Sequence, residues 1–179
     1  MIFNQTKKIL FFHIPKTSGS SIRKLFTDGK DLRIDYNIKD GHPYHVKQKH
    51  VRNYLSQFDM TGYNEFTIVR EPLDRLISMY NHGRIELFGD FYKFAIHVSV
   101  CYNNPDTNHF YHSQLDWIKE PITDSINVHK FEETVENLSV HESKNEKKFT
   151  IEQLTDKEYE FCMNFLAEEY ELLGYSRKK

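Results

Sequence analysis

With 179 residues, 39% of them hydrophobic and 15% aromatic, the chain is long and apolar enough for one folded domain and falls outside the disordered class. Twenty-four Lys and Arg against 26 Asp and Glu leave a net charge of −2, which excludes a general nucleic-acid binder; any basic site must be local. Mean hydropathy is −0.67, and no apolar run approaches the ~20 residues of a membrane-spanning helix.

The N-terminal stretch MIFNQTKKILFFHIP has a short apolar run that ends in His13 and Pro15. It lacks a small-residue cleavage site and is read as part of the fold, not as a leader. Lys7 to Ile14 is nearly continuous in apolar residues, the pattern of a strand covered on both faces. Ser20 to Thr27 follows as a short helix with Ile22, Leu25 and Phe26 on one face. Residues 28–44 are polar, with Gly29 and Gly41, and read as loop with a weak strand. Val46 to Gln57 reads as helix. Phe66 to Val69 is a second buried strand, after which Pro72 fits the first turn of a helix. That helix has Leu73, Leu76, Ile77 and Tyr80 at the i, i+3, i+4, i+7 spacing of one apolar face.

Phe91 to Val100 is expected to be helical, residues 101–113 a loop, and Ser125 to Phe131 a third strand. HESKNEKK, residues 141–148, is a solvated charged stretch in which, as around Glu132 and Glu133, no further role is assigned. Thr155 to Tyr170 is the expected last helix, opened by Thr155 and Glu158 in capping-box spacing. Strands alternating with helices predict an α/β fold with a largely parallel central sheet flanked by helices. No repeat or linker interrupts it, so residues 1–179 are expected to form a single domain. Cys101 and Cys162 lie far apart in ordinary sequence and read as two reduced thiols of a cytoplasmic protein.

Two stretches carry chemistry. PKTSGSS, Pro15 to Ser21, lies between a strand and a helix, where free backbone N–H groups and the positive end of the helix dipole favour an anion. Gly19 allows close backbone approach, the hydroxyls of Thr17, Ser18, Ser20 and Ser21 are donors, and Lys16 adds a point charge. The same residues also suit a turn that merely caps a helix. A Walker A loop ends in Gly-Lys-Ser/Thr; here the lysine comes first, which weakens an ATP-kinase reading. The second stretch, FTIVREPLDRLISMY, ends a buried strand at Arg70, at the edge where open α/β sheets bind ligands. Its fork suits a phosphate, or a surface ion pair with Glu71 or Asp74. Ser78 lies off the apolar face, four residues after Asp74.

Taken together, IPKTSGSS and VREPLDRLISMY resemble the PAPS-dependent sulfotransferases, most closely the carbohydrate branch that includes heparan sulfate 2-O-sulfotransferase and bacterial relatives. Weaker likenesses in HSQLDWI, INVHKFEETVENL and the ending ELLGY extend the resemblance over most of the chain. The resemblance implies a P-loop-like fold and transfer of a sulfuryl group from PAPS to a hydroxyl acceptor, most plainly a carbohydrate, with PAP as product and no metal. By position, Lys16, Thr17, Ser18, Gly19, Ser20 and Ser21 would hold the 5′-phosphosulfate, and Arg70 and Ser78 the 3′-phosphate. Lys16 would offset charge on the leaving oxygen. A histidine opening the helix of HVKQKHVRNYL would be the base, which selects His45, with His42 in reserve and His50 outside the site.

His42, His112 and Gln114 are the expected acceptor-side residues, while Tyr102, Tyr111 and Trp117 either stack on a ring or pack. His42, His45, His109 and His112 form two H-x-x-H pairs, but without a cysteine partner a zinc site is not expected. Two departures stand out. Glu71 replaces the more usual Asp or Asn, and the membrane anchor and stem of Golgi enzymes are absent from the sequence. The competing readings are a non-catalytic module that binds PAP or a glycan, and a small P-loop nucleotide kinase. Oligomeric state is not legible.

Overall fold

The computed structural model describes residues 2–17, 19, 21–22, 55–104, 106–118, 126–138 and 149–177. In chain order its elements are β1 (Ile2–Asn4), β2 (Ile9–Phe12), β3 (Asn64–Val69), α1 (Pro72–Asn81), α2 (Ile85–Phe88) and α3 (Phe91–Cys101). They continue with α4 (Leu115–Ile118), β4 (Asn127–Lys130), α5 (Phe131–Leu138), α6 (Asp156–Phe165) and α7 (Ala167–Leu172). Short 3-10 turns cover His109–Tyr111 and Ile151–Gln153. The fold is mixed α/β, as the alternation of strand and helix patterns predicts. The described residues group into two compact units, one drawn from Met1–Val69 and Gln114–Val140, the other from Arg70–Ser113 and His141–Lys179.

The first unit is built on a four-stranded sheet in the order β1-β2-β3-β4. β2, β3 and β4 are parallel, with Ile9 opposite Asn64 and Phe66 opposite Asn127, whereas β1 pairs antiparallel to β2. Successive side chains of a strand face opposite sides. Accordingly Phe3, Leu10 and Phe12 pack with Leu55 on one side, and Ile2, Phe11, Phe66 and Ile68 pack with Ile22 on the other. Two covered faces explain why ILFF carries no polar alternation. The β1–β2 turn is tied by the Lys7 amide, which donates to Asn4 Oδ1 at 2.8 Å. Lys8 takes a left-handed φ of 51° there, so the expected strand from Lys7 starts two residues later.

In the second unit, α1 buries Leu73, Leu76, Ile77, Met79 and Tyr80. They join Phe91, Phe94, Ala95 and Val98 of α3 and Cys162, Met163, Leu166 and Tyr170 from the C-terminal segment in one apolar cluster. The expected face of α1 is therefore the buried one. Thr155 and Glu158 make both hydrogen bonds of the capping box. The expected last helix is broken at Leu166 into α6 and α7, although Tyr170 N still donates to Leu166 O at 3.1 Å.

Among the described residues four elements exceed the sequence expectations: β1, α2, α4 and α5. β1 is only three residues long, too short for a period to show. α5 begins at Phe131, immediately after β4, where the apolar signal of the strand masks the start of the next element. Most of the segment expected to be loop, weak strand and helix over residues 28–57 lies outside the described residues; Leu55 at its end is helical and buried.

Candidate functional site

Following β2, the chain turns through Pro15, Lys16 and Thr17 and enters a helical turn that includes Gly19, Ser21 and Ile22. Lys16 adopts a left-handed φ of 69°. For a non-glycine residue that conformation costs roughly 1 kcal/mol and persists only where its surroundings enforce it. One enforcing contact is visible: the fully buried Thr17 hydroxyl donates to the Ile14 carbonyl at 2.9 Å. Thr17 therefore braces the turn with its side chain, and what it can offer an anion is its backbone N–H. A left-handed residue in such a turn is half of the alternation that gathers N–H groups into an anion-binding concavity.

Gly19 has an internal cause that the sequence does not reveal. A Cβ added there would lie 1.8 Å from His13 Nε2 and 2.0 Å from His13 Cδ2. The imidazole of His13, itself stacked on Phe11 with centroids 5.9 Å apart, occupies the space over the glycine. Ser21 is helical and half-buried. Ser18, Ser20, His42 and His45 lie outside the described residues.

Because β2 and β3 are parallel and in register, their C-terminal ends share one edge of the sheet. The Pro15–Thr17 turn follows the first, and Arg70 is the residue after Val69 of the second. In the second unit Arg70 is half-buried and precedes the cap of α1. Glu71 is that cap, and its Oε2 accepts from the Asp74 amide at 2.6 Å. Its other oxygen accepts from the hydroxyl of Tyr170. Along α1, Asp74 and Ser78 are half-buried while their neighbours are buried, which places Ser78 off the apolar face as its spacing predicts.

A buried polar network lies one turn further along α1. The Arg75 guanidinium is 2% exposed, and Nη1 donates to the His112 carbonyl at 3.1 Å. Burial pushes its pKa down, and the opposing charge of Glu169 offsets part of that shift. Glu169 in turn accepts from Ser113 Oγ at 2.8 Å. Burial, reinforced by Glu169, holds the Tyr102 phenol well above its ordinary range.

His112 is 1% exposed, with Nε2 3.1 Å from Thr107 Oγ1. Gln114, in the first unit, is fully buried and its carbonyl accepts from Trp117 N at 3.0 Å. Both side chains are thus inside the protein. Tyr102, Tyr111 and Trp117 are also buried, so of the two roles open to them packing is the one realised. Burial pushes the Cys162 thiol up to about 12, far from the range of a reactive thiolate. His13, Arg75, Glu169 and Tyr170 were not singled out from sequence, and Glu71 was noted there only as an ion-pair candidate and a departure; their significance lies in contacts across the fold that no local spacing encodes.

Compared with protein-family models, residues 1–177 match the Sulfotransferase family, and the chain belongs to that family. Membership makes it a transferase of sulfuryl groups to a hydroxyl-bearing acceptor. Comparisons with curated proteins and with solved structures returned no match. Among the described residues no helix is long and apolar enough to cross a membrane.

Proposed function

We propose that the chain transfers a sulfuryl group from PAPS to a hydroxyl of a carbohydrate and releases PAP, acting in the cytoplasm as one domain over residues 1–179 and without a metal. The observation that carries this reading is the left-handed Lys16 in a turn braced by Thr17, between the end of a parallel strand and a helix start. Such a turn fits a doubly charged group through its backbone N–H donors. When bound, PAPS supplies an activated sulfuryl group on a phosphate leaving group.

Lys16, with Thr17, Ser18, Gly19, Ser20 and Ser21, is assigned the 5′-phosphosulfate; Arg70 and Ser78 are assigned the 3′-phosphate. The Lys16 ammonium offsets charge that grows on the leaving oxygen. His45, as neutral imidazole, is assigned the acceptor hydroxyl's proton, with His42 as the reserve base and an acceptor-side residue. His112 and Gln114 are assigned to positioning the acceptor.

The test is incubation with sulfur-labelled PAPS and a panel of glycans. Transfer that falls at least about 100-fold in Lys16→Ala and in His45→Ala, the range for a lost electrostatic or general-base group, supports the assignment. Tight PAP binding with no transfer across the panel would instead identify a binding module.

A further inference from the structure

We propose that Tyr170, acting through Glu71, is a positioning residue for the 3′-phosphate grip, so that the C-terminal helix α7 sets how Arg70 is presented. This inference rests on the assignment of Arg70 and Ser78 to the 3′-phosphate and goes beyond it by naming what holds them.

The geometry begins with one buried carboxylate serving two partners. Glu71 is 2% exposed; Oε2 caps α1 at the Asp74 amide, and Oε1 takes the Tyr170 hydroxyl. A carboxylate at a helix N-terminus is favoured by the dipole and by charge-assisted hydrogen bonding. Arg70 is joined to Glu71 by a peptide bond, and Ser78 is on the helix that Glu71 caps, so fixing this carboxylate fixes the origin of both groups.

Side-chain length also matters here. Aspartate would still cap the helix, but its carboxylate would stop short by one C–C bond, roughly 1.5 Å, and lose the reach to Tyr170. Glutamate is therefore the residue this contact requires.

A second tie lies one helical turn on. Arg75 is four residues after Glu71, and the neighbour of Tyr170, Glu169, supplies the charge that offsets Arg75 burial while accepting from Ser113. Two consecutive residues of α7 thus serve two consecutive turns of α1. The Tyr170 phenol is held protonated by burial and by Glu71, which keeps it a donor throughout the range in which the protein would work.

The experiment measures dissociation constants for PAP and for adenosine 5′-monophosphate, which lacks the 3′-phosphate, by calorimetry. Tyr170→Phe removes one oxygen. It should lower the preference for PAP over the monophosphate by about three- to tenfold, the effect of one hydrogen bond, while leaving monophosphate affinity unchanged. Glu71→Asp should do the same, and serves if Tyr170→Phe folds poorly. Equal weakening of both nucleotides, or no change in either, would show a structural role only and overturn the inference. Arg70→Ala is the reference. If it fails to reduce the preference, the 3′-phosphate assignment itself is wrong; if it does reduce it while Tyr170→Phe and Glu71→Asp do not, the assignment stands and the positioning role falls.

Discussion

Gly19 illustrates how one residue can be open to two different explanations, only one of them visible in sequence. A glycine in PKTSGSS suggests close approach by a ligand. In the folded chain the imidazole of His13 fills the place of its missing side chain. The two causes separate by mutation. Gly19→Ala alone should weaken PAP at least about tenfold, because overpacking of roughly 1–3 kcal/mol must displace the turn. Adding His13→Ala should return binding to within about threefold of the parent if the clash is the main cause, since little of that strain then remains. A double variant as weak as the single one would mean that ligand approach alone demands the glycine.

Lys16 and Arg70 stood out in the sequence because lysine after proline at a strand end, and arginine at the next strand end, are unusual residues in recognisable places. The tie between Glu71 and Tyr170 did not, because it spans 99 residues and nothing in either local sequence announces the other; nor did the packing of His13 over Gly19. Arg75 was hidden for another reason: an arginine among apolar positions of a helix reads as exposed. Its burial beside Glu169 makes it costly to disturb. Arg75→Met should lower unfolding free energy by about 3–5 kcal/mol, the cost of stranding a buried partner charge, and thermal denaturation would register that loss.

At the scale of elements, the parts that obey one clear rule were readable. α1 followed its i, i+3, i+4, i+7 face, and the start of α6 followed its capping box. Thr155→Ala removes the hydroxyl that accepts from Glu158 N at 3.3 Å and donates to Glu158 Oε2 at 2.7 Å. It should cost about 1 kcal/mol, seen as a lower denaturant midpoint with an unchanged slope. Elements without such a rule were missed. β1 has three residues and takes its place only by pairing with β2, and the strand signal of β4 ran into the start of α5. The break at Leu166 was equally silent, because the apolar spacing continues through it and the hydrogen bonding resumes at once.

For the molecule as a whole, the alternating pattern sufficed to read the α/β class and the parallel core of the sheet, whereas the antiparallel edge and the internal ties of the second unit needed the structure. The buried titratable groups give the molecule a defined alkaline limit. Cys162 is raised from 9.0 to about 12, and the Tyr102 and Tyr170 phenols are raised from 10.0. Each is held protonated in the fold and ionises first in the unfolded chain. Their contribution to stability is complete below about pH 9 and is lost as pH rises further. Melting temperature should therefore be flat with respect to these groups up to about pH 9 and fall above it; Cys162→Ala should move the onset to about pH 10, where the tyrosines take over.

The sheet also fixes an order in time. β1 and β2 are neighbours in the chain and can close as a hairpin within microseconds. The hydroxyl of Thr67 reaches the Phe12 carbonyl across 55 residues, and Asn127 reaches Glu65 across 62, encounters that wait on the closure of long loops. On refolding, the strand that leads into the Lys16 turn gains its edge partner early and its parallel neighbour late. Nucleotide affinity should accordingly reappear with the slow kinetic phase and be absent from the fast one, a sequence that stopped-flow mixing with a fluorescent nucleotide would reveal.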